Sequence, residues 1–287
     1  ALNLPAPLDK PQDAAWPLHV ELGPLAGSAG RERLRVRLAD RLALDYERQA
    51  GAAGAPARVL RGAIAVGALG EGAAAAPALP AAGVQAQLKW PALDVDAWER
   101  ALDRMGEAAP APPQAATSAA TPPAVPAAAS APAADEYLPT RVAVQVDTLQ
   151  VDDRTLHAVD VNATRNGTRW SAQVQARELA GRVEYTPGAD GSAGAVHARL
   201  SRLAIAASDT PESGALEQPS TRIPALDVVV DDFELHGRKL GRLEVQAVNR
   251  DVGAGRAAGG NAVQEWQLTR LALAVPEASL SASGRWA

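Results

Sequence analysis

The feature that most constrains this chain is an internal repeat carrying a phase slip. From Val144 it reads VQVDTLQVDDRTLHAVDVNA, and from Val228 it reads VVVDDFELHGRKLGRLEVQA. Val144, Val146, Asp147, Leu149, Val151, Arg154, Leu156, Val159, Val161 and Ala163 match Val228, Val230, Asp231, Phe233, Leu235, Arg238, Leu240, Leu243, Val245 and Ala247 without a gap. Repetition of one supersecondary unit implies stacking along an axis. In both copies apolar residues occupy even positions up to Val146 or Val230 and odd positions from Leu149 or Phe233. A strand has a period of two, so the slip turns later side chains to the wrong face unless a bulge restores them. The spacing therefore predicts a bulge at Asp147 and at Asp231, and a sheet curled by both. Asp152 to Thr155 and His236 to Lys239 are expected to form the hairpin turns. After each copy comes a variable loop and then a Trp that opens another strand, Trp170 and Trp266.

Period two also dominates elsewhere. Arg33 to Leu38 alternates, Arg58 to Val66 does so loosely, and Val84, Ala86 and Leu88 alternate with Gln85, Gln87 and Lys89. This pattern belongs to antiparallel strands with one buried and one wet face. One segment has helical spacing, Asp94 to Met105, with Val95, Trp98, Leu102 and Met105 on a stripe and Asp94 or Asp96 placed to cap it. Residues 107 to 134 are almost wholly Ala, Pro, Ser and Thr, too poor in large apolar groups to offset the entropy of ordering, so a disordered linker or insert is expected. Ser208 to Ser220 and Gly253 to Asn261 read as long hairpin loops.

Composition narrows the functional classes. With 33 acidic and 28 basic side chains the net charge of −5 does not suit a nucleic-acid partner. Cysteine is absent, which excludes disulfides, thiolate metal sites and Cys nucleophiles. Only ten residues are aromatic (Trp 6, Tyr 3, Phe 1), so the core must come from Val, Leu and Ala. No window reaches the roughly 20 apolar residues of a membrane-spanning helix. The opening, with Leu2, Leu4 and Leu8 between prolines, and the ending on Trp286 and Ala287 suggest a piece of a longer protein.

No catalytic constellation emerges. Asp152-Asp153 and Asp231-Asp232 are paired carboxylates, but their place at a turn and a bulge favours structure over acid/base work. His19, His157, His197 and His236 lack ligand-spaced partners on one face, so no metal is expected. Gly188, Gly191 and Gly194 follow Pro187 without the strand and helix of a phosphate loop. Trp90, Trp170, Trp266 and Trp286 are placed at strand ends, suited to covering a sheet margin or touching lipid headgroups. The alternating apolar positions fit either the inner faces of a closed sandwich or an open groove.

Four stretches carry a resemblance: Gly83 to Trp98 (GVQAQLKWPALDVDAW), Glu178 to Leu203 (with ELAGRVEY and AVHARLSRL), Ile223 to Val245 (IPALDVVVDDFELHGRKLGRLEV) and Trp266 to Trp286 (WQLTRLALAVPEASLSASGRW). In this order they resemble the AsmA-like superfamily of bacterial envelope proteins, and within it the large YhdP type. The Ala/Pro insert is not part of that pattern. The resemblance implies a periplasm-spanning protein, anchored in the inner membrane through a region this chain lacks, whose apolar groove carries phospholipid toward the outer membrane and supports the outer-membrane barrier. The expected fold is mainly β: an elongated curled antiparallel sheet, a repeating β-groove, with one short helix near 94–105. Residues 1–106 are expected to form a groove segment ending in that helix, 107–136 the linker or insert, and 137–287 a second groove segment holding the repeat. The expected lipid-groove residues are Val144, Val146, Leu149, Val151, Val159 and Val161, with Val228, Val230, Phe233, Leu235, Leu243 and Val245. They would act by hydrophobic contact, with no catalysis, metal or cofactor, on phospholipid as the partner. Inner and outer membrane would be reached through regions outside this chain. The alternative is an envelope scaffold that recruits protein partners through its sheet edges.

Overall fold

The computed structural model describes residues 4–6, 8–11, 13–51, 56–67, 78–107, 134–151, 154–188, 194–206, 224–252, 263–275 and 278–286. The fold class is the expected one: mainly β, open sheet, one short α-helix. The chain divides into two compact units, Ala1–Thr140 and Arg141–Ala287. The Ala/Pro stretch lies outside the described residues from 108 to 133.

The first unit holds β1 (Leu18–Pro24), β2 (Arg31–Leu38), β3 (Leu42–Gln49), β4 (Arg58–Gly67), β5 (Gly83–Asp94), α1 (Val95–Glu107) and a 3-10 turn, Ala134–Tyr137. Neighbours in space are neighbours in sequence, antiparallel from β1 to β4. The β4–β5 pair is parallel, a departure from the expected all-antiparallel sheet. Directly paired residues share a face, so the register puts Val20, Val36, Leu44, Ile64 and Ala86 in one apolar row. Tyr137 of the 3-10 turn covers part of that face: its ring lies 5.5 Å from that of Tyr46, whose hydroxyl donates to the Tyr137 carbonyl at 3.0 Å.

The opposite face of the first unit carries two buried carboxylates. Asp45 and Glu47 are 0% and 4% exposed. Arg33 donates Nε to Asp45 Oδ1 at 2.7 Å and Nη2 to Oδ2 at 2.6 Å. Arg61 does the same to Glu47, Nε to Oε2 at 2.6 Å and Nη2 to Oε1 at 2.8 Å. The two forks join β3 to β2 on one side and to β4 on the other. Buried charge survives here because each carboxylate receives two charge-assisted bonds.

The helix is capped as expected: the Ala97 amide donates to Asp94 Oδ1 at 2.8 Å. Its buried stripe differs from the expectation. Ala101 is 3% exposed while Leu102 is 57% exposed, so the seated face is rotated by one residue. Trp98, on the expected stripe, is seated: it stacks on Trp90 at 6.3 Å and an interplanar angle of 7°, and donates Nε1 to the Ala6 carbonyl at 3.0 Å.

The second unit holds β6 (Arg141–Val151), β7 (Arg154–Asn166), β8 (Arg169–Gln175), β9 (Leu179–Thr186), β10 (Ala195–Ile205), β11 (Ala225–Leu235), β12 (Arg238–Val252), β13 (Val263–Val275) and β14 (Ala278–Trp286). They follow one another in chain order, antiparallel except for the parallel β10–β11 pair. Ser208 to Ser220 therefore lies in a crossover between parallel strands, not in a hairpin loop, although the segment itself is outside the described residues. Gly253 to Asn261, also outside them, does link antiparallel neighbours.

Both repeat copies are hairpins, β6–β7 and β11–β12, and both absorb the slip. In the second copy the register shifts between Val230 and Phe233, the expected bulge at Asp231, and again between Phe233 and Glu234. The first copy solves the problem otherwise. Val146 pairs with Val159 and Thr148 with His157, so Asp147 and Ala158 drop out of the ladder together, and Ala158 takes φ 52°. The single-strand bulge expected at Asp147 is thus a kink shared by both strands. The return strands carry the same slip, visible as the three-residue steps Leu156 to Val159 and Leu240 to Leu243.

The second hairpin closes on His236-Gly237 with φ 52° and 75°, the pair of positive values a type I′ turn requires. In the first, Val151 pairs with Arg154 across Asp152-Asp153, which lie outside the described residues.

Candidate functional site

Following the register across the second unit assembles a continuous aliphatic surface. One row runs Val144, Val161, Val174, Gly181, Leu200, Val230, Leu243, Leu273, Leu280. The next runs Val142, Ala163, Ala172, Val183, Ala198, Val228, Val245, Leu271, Ala282. Every rung in these rows is apolar through nine strands. The row between them reads Asn162, Gln173, Arg182, Arg199, Val229, Glu244 and belongs to the opposite, mainly polar face.

Gly181 has a reason to interrupt the first row. Its φ is 151°, and a Cβ there would overlap the Arg199 carbonyl and the Leu200 backbone. The missing side chain leaves a notch that Leu200 fills.

The register sets Val144, Val146, Val159, Val161, Val228, Val230, Leu243 and Val245 on this face, and Phe233 and Leu235 pack in the same cluster as Val230; by exposure the twelve expected groove residues fall into two groups. Val146, Val159, Val230 and Phe233 are 2%, 3%, 0% and 7% exposed, sealed by protein. Around Val230 and Phe233 pack Ala198 and Leu200, then Leu179, Leu203, Leu235, Leu240, Leu243 and Leu273. These four form the floor rather than the accessible lining. Val144, Leu149, Val151, Val161, Val228, Leu235, Leu243 and Val245 are half-buried and keep surface that water or an apolar ligand can reach.

The tryptophans do not all end strands. Trp170 is the second residue of β8 and Trp286 the last of β14, whereas Trp90 and Trp266 lie inside β5 and β13. Trp266 donates Nε1 to the Pro224 carbonyl at 3.1 Å, a margin-packing contact that reaches the start of β11. Trp170 pairs with Tyr185 at one end of the apolar rows, and Tyr185 is 39% exposed.

Two histidines meet carboxylates, contrary to the sequence reading. His157 Nδ1 lies 2.7 Å from Glu178 Oε1, and the His157 amide donates to Glu178 Oε2 at 2.8 Å. His197 Nδ1 lies 3.4 Å from Asp227 Oδ2, which also accepts from Arg199 Nη2 at 2.8 Å. The partners lie on neighbouring elements, where sequence spacing carries no signal. Among the described residues no three His, Cys, Asp or Glu side chains converge as metal ligands.

These contacts set an acid limit on stability. Burial alone would raise the Glu178 carboxyl, but the His157 amide and ring hold it below its ordinary value. The Arg61 fork lowers Glu47 and the Arg199 guanidinium lowers Asp227, both against burial. A depressed carboxyl contributes stability that is complete above its unfolded value, near pH 4, and is lost as pH falls through the folded value. Urea unfolding is expected to show a lower midpoint at pH 3 than at pH 7, with a shallower pH dependence in Glu178→Gln.

Compared with known families, the whole chain, residues 1–287, matches the model of the YhdP protein family. The chain belongs to the YhdP family. Membership points to an envelope protein of lipid-transport type. Neither the curated proteins nor the solved structures return a match to this YhdP-family chain. Among its described residues no helix is long and apolar enough to cross a membrane.

Proposed function

We propose that this chain is a non-catalytic segment of a periplasm-spanning, inner-membrane-anchored protein that shields phospholipid acyl chains on their way between inner and outer membrane. The observation that carries this reading is the aliphatic surface of the second unit, apolar at every rung through nine strands and half-exposed over much of its length. Family membership points the same way. Each methylene buried contributes about 0.8 kcal/mol, so two acyl tails laid along such a surface gain several kcal/mol without any specific chemistry. Transfer along a surface needs this graded, non-directional adhesion, because a ligand held by a few strong contacts would not move on.

The test is direct. The purified chain, incubated with phospholipid vesicles and re-isolated, is extracted with organic solvent and the extract analysed by mass spectrometry. Phospholipid in stoichiometric amount supports the reading, and a chain that emerges lipid-free overturns it. A scaffold role is the second reading, favoured by β1 and β14, each of which pairs on one side only among the described residues. Leu18, Val20 and Leu22 of β1 are 61%, 59% and 58% exposed. Native mass spectrometry separates the two: bound lipid favours transfer, a bound protein on a lipid-free chain favours scaffolding.

A further inference from the structure

We infer that Arg154 and Arg238 are successive phosphate stations along one lip of the apolar surface, each holding the headgroup of a phospholipid whose tails lie on the aliphatic rows. This rests on the lipid-transfer reading and adds to it where the headgroup sits. Three observations carry it.

The first is equivalence by repeat. Each arginine opens the second strand of its hairpin, and each pairs with the last apolar residue of the first strand, Arg154 with Val151 and Arg238 with Leu235. Paired residues share a face. Leu235 and Leu240, two positions beyond Arg238, both pack against the buried cluster of Val230 and Phe233, which places Arg238 on the apolar side of the sheet. The same parity relates Arg154 to Leu156, which pairs with Leu149.

The second is availability. Both arginines are exposed, and neither forms an ion pair or side-chain hydrogen bond among the described residues. Three other arginines of the second unit are by contrast engaged: Arg199 binds Asp227, Arg242 binds Asp231 and Glu244, and Arg270 binds Glu244. A guanidinium at the end of an apolar row suits a phosphodiester, since its planar fork matches two phosphate oxygens and it is weakly hydrated.

The third is spacing. β7 and β12 run in the same direction, so the two arginines begin their strands on the same lip, five strand steps apart. At about 4.8 Å per step the separation is about 24 Å. A lipid moving along the rows meets one cation per repeat.

The test compares the wild-type chain with Arg154→Gln/Arg238→Gln after incubation with vesicles containing phosphatidylglycerol or diacylglycerol of the same acyl chains, followed by extraction and mass spectrometry. Diacylglycerol has the tails and lacks the phosphate. Loss of two charge-assisted contacts is expected to lower phosphatidylglycerol retention about tenfold and diacylglycerol less than twofold. Arg154→Lys/Arg238→Lys should recover part of the difference, because a point charge remains without the fork. Both sites are exposed, so circular dichroism should report an unchanged sheet. Equal retention of both lipids by wild type and variant, or an equal loss of both, overturns the headgroup stations while leaving the groove intact. Tight binding of inorganic phosphate to the lipid-free wild type, lost in the variant, likewise overturns the assignment in favour of a plain anion site. A wild-type chain that retains neither lipid overturns the transfer reading, and this inference with it.

Discussion

Val230→Asp is expected to unfold the second unit, whereas Val245→Asp, one rung away, is expected to leave it folded and strip it of lipid. Val230 is 0% exposed and sits at the centre of the cluster with Leu200 and Phe233. A carboxylate there has neither water nor a partner, which costs several kcal/mol, enough to exceed a typical domain's margin. Val245 is half-buried, paired with Val228 and Leu271, so an aspartate can reach solvent from it. It would then place a charge among the acyl tails. Chemical denaturation followed by circular dichroism reads the first effect, and lipid extraction reads the second. Two folded, lipid-retaining variants would remove both the floor and the lining from the account.

The second large effect is expected in the first unit. Arg33→Ala leaves the Asp45 carboxylate, 0% exposed, without its two short bonds and with only Arg35 Nε at 3.7 Å. Breaking a fully buried pair costs about 3–5 kcal/mol and an exposed one under about 1; Arg33 is 30% exposed on the solvent side, so a loss of about 2–3 kcal/mol is expected. Removing both partners together, as Arg33→Met/Asp45→Leu, should recover most of that loss, because no uncompensated charge remains. A double-mutant cycle on urea unfolding measures the coupling. Additive losses would mean that the fork does not hold β2 to β3.

What the sequence made legible was whatever the backbone period records. The Val144 and Val228 copies gave strands, hairpins and the slip, and the structure contains all three. The mode of repair was not legible, since Asp147 with Ala158 and Asp231 with Leu240 satisfy the same parity in different ways. Strand direction leaves no mark on a period of two, which is why the parallel pairs β4–β5 and β10–β11 escaped notice. Asp45 and Glu47 alternate with Leu44 and Tyr46 as outward polar residues should, yet they are buried. Their partners Arg33 and Arg61 come from strands whose register only the fold supplies. For the same reason the split between sealed Val230 and half-open Val245 could not be read from the alternation, which marks both valines as apolar-face positions.

The parallel seam between β10 and β11 also bears on how the second unit assembles. Strands on either side can zip up locally, turn by turn, but Ala198 meets Val228 and Leu200 meets Val230 only after residues 206–224 have crossed back. Closing such a span costs more entropy than closing a two-residue turn, though the cost grows slowly with its length. A few residues more or fewer in the crossing would therefore change that cost little, whereas the two edges it joins must match rung for rung. β6–β10 and β11–β14, each paired between neighbours in sequence, thus meet only along this seam, where the long-range closure of the unit is concentrated.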